Sequence, residues 1–155
     1  MPDTPPPVEW TPHEIPALLI GIAARQLARI NEERLRPLGL AIAQIPVVVA
    51  LKDGAAIPQK ELARIAGVEQ PSMAQLLARM ERDGLIARAP NPDDGRSSLV
   101  SLTPKAMAQL DPGRRMLLAG NADALRGMTP AEVESFTALL QRVIANLSPQ
   151  AEPGP

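Results

Sequence analysis

Apolar residues recur at helical spacing along most of this chain, and one segment breaks the pattern. Ile15, Leu18, Leu19, Ile22, Leu27 and Ile30 fall on one face of a long first helix that closes near Pro37-Leu38-Gly39. A second helix is expected from Ile42 to Lys52, ending at Asp53-Gly54. Its Pro46 is tolerated only in the first turn, where the missing N–H has no helical partner. A short helix follows over Pro58–Gly67, with Leu62 and Ile65 inward. Another spans Glu69–Gly84, with Met73, Leu76, Leu77 and Met80 as its buried stripe and Gly84 as its stop. The exception is Leu85–Ala89 and Leu99–Leu102, which read as strands joined by a polar turn. Thr103-Pro104 then opens a helix expected to bend or break at Asp111-Pro112-Gly113. Thr129-Pro130 with Glu132 repeats the capping pattern and opens the last helix, whose stripe is Val133, Phe136, Leu139, Leu140, Val143, Ile144 and Leu147.

The predicted order is helix, helix, short helix, helix, hairpin, helix, helix. Two of these helices flank a tight turn at Gly67-Val68-Glu69, a helix-turn-helix arrangement, and the hairpin after it makes the winged form. Proline-rich ends, residues 1–12 and 148–155, are expected to be flexible tails.

Composition narrows the chemistry. The 155 residues carry 16 Lys+Arg against 17 Asp+Glu, so any basic surface must be local. With no cysteine and one histidine, thiol chemistry, a thiolate zinc site and a histidine-based triad are not expected. No phosphate-binding glycine loop or metal-ligand spacing is present, and neither enzymatic activity nor a metal or cofactor is expected. The start MPDTPPPVEW lacks the features of a signal peptide, and the most apolar run, AIAQIPVVVAL, is too short to span a membrane. A cytoplasmic protein is the default expectation.

Three stretches, GLAIAQIPVVVALKDG, QKELARIAGVEQPSMAQLLARMERDGLIAR and NPDDGRSSLVSLTPKA, together resemble the MarR family of bacterial transcription regulators. The most specific parts are LARMERDGLI, the Asp94-Gly95-Arg96 of the wing and the closing V-S-L-T. The resemblance implies a mainly α fold with a small β-wing: a winged helix-turn-helix flanked by N- and C-terminal dimerisation helices. Residues 13–147 then form one domain, with arms at 13–37 and 104–147 around a DNA-binding lobe at 40–103. The implied function is a sequence-specific repressor that binds a pseudo-palindromic operator as a homodimer and is released by a small effector.

With the buried stripe facing in, the Glu69–Gly84 helix turns Gln70, Ser72, Gln75 and Arg79 outward. Gln70, Ser72 and Gln75 lie toward its N-terminus, where amides and hydroxyls meet base edges. Arg79 lies further along and suits phosphate, as do Gln59 and Lys60 at the start of the preceding helix and Arg88 before the turn. Ala74, where the family often has a small hydroxyl, and Glu69, a poor N-cap, depart from the family pattern. In the wing, Arg96 is the natural seeker of a narrow minor groove, and Gly95 is expected to supply a conformation that a bulkier residue resists. The resemblance implies that Asp94 orients the Arg96 guanidinium. The alternative is a surface ion pair that only stabilises the turn.

Ile15, Leu19, Leu140, Val143, Ile144 and Leu147 are the candidate dimer residues, because a lone terminal helix would leave such a stripe exposed. The resemblance also implies an effector pocket where arms meet lobe. Trp10, His13 and Arg25 are the candidates for a small organic anion there. A winged-helix protein-interaction module without specific DNA binding is the rival reading. The expected partners are double-stranded DNA, a second copy of the chain and a possible small organic effector.

Overall fold

The computed structural model describes residues 11–148; most of both proline-rich ends, and Trp10, lie outside the described residues. The chain divides into two compact units, one ending at Gly120 and the other starting at Asn121. In order it forms α1 (Pro16–Leu35), α2 (Ile45–Leu51), β1 (Ile57–Pro58), α3 (Gln59–Ala66), α4 (Gln70–Arg82), β2 (Ile86–Pro90), β3 (Ser98–Leu102), α5 (Pro104–Met107), α6 (Leu110–Ala124) and α7 (Pro130–Leu147).

The core of the first unit is built by the inward stripes of the short helices and the central strand. Leu51, Leu62, Met73, Leu77, Met80 and Val100 are all buried there. Burying side chains of this size contributes about 1.5–3 kcal/mol each, which fixes which way α4 faces. The strands form an antiparallel sheet in the order β1-β3-β2, with Ile57 opposite Val100 and Arg88 opposite Val100 on the other side.

Three sequence expectations change here. The strand β1 was not anticipated: two residues are too few to show a period, and the place of Pro58 on an edge strand needs no backbone donor. The helix after the wing does not break at Asp111-Pro112-Gly113; the break comes at Ala108-Gln109, and those three residues lie in the first turn of α6. Pro112 is tolerated there for the same reason as Pro46. Ile65, expected inward, is exposed on α3, which is too short to bury more than the face carrying Leu62 and Ala63.

Close approach of α1 and α6 requires Gly120. A Cβ built on it would collide with Oδ1 of the buried Asn31 and lie 3.2 Å from Arg34 Nη1. In the second unit, Thr129 and Glu132 cap α7 reciprocally: the Thr129 N–H donates to Glu132 Oε2 at 2.7 Å, and Thr129 Oγ1 accepts from the Glu132 N–H. The Thr129 N–H, followed by its hydroxyl, holds the Glu132 carboxyl below its usual range. The α7 helix buries none of its residues, and Leu139, Ile144 and Leu147 are exposed.

Candidate nucleic-acid interface

The turn between α3 and α4 is set by Gly67, which adopts a left-handed φ of 64° and ends α3 with the Val68 N–H donating to Ala63 O. Glu69 then enters α4 in extended conformation and gives no side-chain cap, so Pro71 in the first turn does the local work of starting the helix. Met73, Leu77 and Met80 are fully buried, and Leu76 is partly so. The opposite face presents Ser72, Gln75 and Arg79, and Gln70 stands at the helix start; all four are exposed. A helix pinned by three buried side chains on one face has little freedom to rotate, so the outward set is held at fixed spacing. Ala74, the family departure, is half-buried on the flank.

The wing tip is ordered by its own short polar side chains. Asn91 Oδ1 accepts from the Asp93 N–H at 3.0 Å, and Asn91 Nδ2 donates to Ser97 Oγ at 2.9 Å. Asp94 Oδ1 accepts from the backbone N–H of Arg96 at 3.0 Å. This corrects the expectation for Asp94: its carboxylate holds the Arg96 backbone, and no Asp94–Arg96 ion pair is found among the described residues. A carboxylate two residues before an N–H closes a local ring more easily than it reaches a long guanidinium. Gly95 is also corrected. It has no positive φ, and a Cβ on it would meet nothing within 4 Å.

Strand β1 has a consequence for the site. By pairing with β3 it carries the start of α3 to the root of the wing, so that Gln59, Lys60, Arg88, Arg96 and Ser97 line one hollow of about 260 Å³. Lys60 and Arg96 are exposed, and Arg88 is half-buried. Cationic side chains and the free N–H groups of a helix start converge there, an arrangement suited to a phosphate oxygen. Gln59 Nε2 also approaches Gln70 Oε1, at 3.5 Å, so the two helix starts touch through their amides.

Several cations on this lobe already have partners. Arg64 pairs with Glu61, Arg82 Nε with Asp83 Oδ1 at 3.0 Å, and Arg88 Nε with Glu81 Oε2 at 3.1 Å. The Arg64 side chain, through its hydrogen bond, draws the Glu61 carboxyl below its usual range. Lys60, Arg79 and Arg96 form no ion pair among the described residues. The Glu81 partner of Arg88 is not legible in sequence, because one stands on α4 and the other on β2 and no single helical or strand period runs across the turn between them.

The remaining candidates are scattered. His13, in a single turn at Pro12–Glu14, and Arg25, on α1, are exposed. Neither lines the cavity of about 610 Å³ between α2 and the start of α6, which is walled by Ile45, Val48, Leu110 and Leu117 with Lys52 and Arg114 among its lining. Leu19, Val143, Ile144 and Leu147 are exposed in the single chain, while Ile15 and Leu140 are partly buried.

A buried-stripe helix with a polar outer face, set beside a three-stranded wing, defines a winged helix-turn-helix protein. Residues 38–97 match the MarR family. The chain is 28% identical over 127 residues to the multiple antibiotic resistance protein MarR of Escherichia coli, covering 81% of this chain and 88% of that protein. Its fold superposes on a mutant of E. coli MarR complexed with operator DNA, with a TM-score of 0.76 at 27% identity, covering 83% of this chain and 92% of that one. A protein from Listeria monocytogenes complexed with a 26mer DNA gives 0.76 at 27% identity, covering 86% and 89%. Over these residues and in its fold the chain is similar to MarR-family transcriptional regulators.

Proposed function

We propose that this protein is a sequence-specific DNA-binding repressor that acts as a homodimer on a pseudo-palindromic operator. The observation that carries the reading is the exposed surface of α4: Gln70 at the helix start and Ser72 and Gln75 on the outer face stand clear of a fully buried stripe, next to a wing that presents Arg96. In this reading those three residues meet base edges in the major groove, Gln59, Lys60 and Arg79 hold the phosphate backbone, and Arg96 enters the minor groove. Arg88 reaches the backbone only in competition with Glu81. Two lobes are needed for specificity, and the exposed apolar residues of α1 and α7 support their pairing through a second copy.

An effector fits best in the cavity between α2 and α6, not near His13 and Arg25. Its apolar wall with Lys52 and Arg114 suits a small organic anion with an apolar body. Such a ligand would release DNA by favouring a lobe spacing that does not fit the duplex.

Binding-site selection on random duplexes, followed by footprinting, tests the reading. A palindromic consensus with half-sites about one helical turn apart is expected, and Gln75→Ala should change the selected bases. Recovery of no consensus, with binding indifferent to salt, would leave the interaction-module reading standing.

A further inference from the structure

We propose that Glu81 masks Arg88, and so sets how strongly the protein grips DNA of any sequence. The inference rests on the DNA-binding reading above. Arg88 stands on β2 and Glu81 near the end of α4, on the flank toward β2, and the pair bridges helix to wing through the Nε–Oε2 hydrogen bond of 3.1 Å. The Arg88 side chain is 27% exposed and that of Glu81 47%, so the contact is partly sheltered from water and salt.

Arg88 borders the hollow that also takes Lys60 and Arg96, and of these cations it alone is already paired with a carboxylate. Affinity gained from the DNA backbone comes from counterions released as protein cations replace them. A guanidinium balanced by a fixed carboxylate replaces none, because meeting a phosphate leaves Glu81 as a new bare anion. Arg88 is therefore silent in the electrostatic term while Glu81 is ionised. Arg64 and Arg82 are paired in the same manner, and the chain's formal net charge is −1. Sequence-independent binding is electrostatic, so this self-neutralisation holds it down and leaves discrimination to the α4 amides. A pair that keeps this much contact with water contributes only modestly to folding, so its removal should be read mainly in DNA binding.

The test uses the full chain and three variants, Glu81→Gln, Arg88→Gln and the double variant. Each is titrated by fluorescence anisotropy against a random-sequence duplex over a series of KCl concentrations. Glu81→Gln is expected to steepen the log–log salt slope by about 0.9 per lobe, and to tighten binding up to about eightfold per lobe at about 0.1 M salt, the counterion-release limit. Adding Arg88→Gln should reverse that steepening. An unchanged slope in Glu81→Gln would overturn the proposal and make Arg88 an ordinary backbone clamp. A steepening that survives in the double variant would also overturn it, because Glu81 would then act by general repulsion. If the unaltered chain shows no salt-dependent binding, the DNA-binding reading itself fails, and the masking role with it.

Discussion

Replacing Asp94 by asparagine should leave DNA affinity almost untouched, whereas replacing it by alanine should not. The carboxylate acts in the structure as a neutral acceptor could: its Oδ1 takes the Arg96 backbone N–H at 3.0 Å. Asparagine keeps that oxygen and alanine removes it. Loss of one such bond costs about 0.5–1.5 kcal/mol net, and ordering the tip at each binding event would then weaken affinity by roughly twofold to tenfold per lobe. The salt slope should stay constant in both variants, since Arg96 keeps its charge. Arg96→Ala differs in kind: it should cost about 1–3 kcal/mol and flatten the slope by about 0.9 per lobe. Anisotropy titration of a selected operator at several salt concentrations separates the cases. If Asp94→Asn weakens binding as much as Arg96→Ala, the acid orients the guanidinium by charge, and the backbone-capping account of the wing is wrong.

Other expectations follow from the packing. Gly120→Ala should destabilise the protein by about 1–3 kcal/mol, because its Cβ must displace the buried Asn31 or push α1 from α6; an unchanged melting temperature would refute the close approach. Because Glu132 has a lowered folded pKa, its capping contribution is present above the unfolded value near 4.5 and is lost as pH falls through the folded one. Acid titration of helicity should therefore show less pH dependence in Glu132→Gln than in the parent, and identical curves would contradict that. Ile144→Glu places a carboxylate in the exposed α7 stripe and should weaken self-association by about 3 kcal/mol without unfolding the chain. Sedimentation that shows the same assembly for both would remove α7 from the dimer.

Local chemistry settled much of this protein before any packing was known. Glycine at the ends of α3 and α4, proline in first turns and the Thr129–Glu132 spacing each act within one turn of chain, so sequence alone carried them. The outer face of α4 was legible for a similar reason: once Met73, Leu77 and Met80 are taken inward, helical geometry leaves Ser72, Gln75 and Arg79 no other place, while Gln70 is exposed because it is the first residue of the helix. Which residues meet across the fold was not legible. Only the pairing of β1 with β3 brings Gln59 and Lys60 to the wing root, and only the approach of α4 to β2 joins Glu81 to Arg88. Asp94 shows the boundary between the two: its choice of a backbone N–H over a guanidinium depends on the particular course of seven turn residues. Short-range preferences decide elements and faces because they need no distant partner. Contacts between elements, and with them the balance of charge on the candidate DNA surface, exist only after those elements have packed.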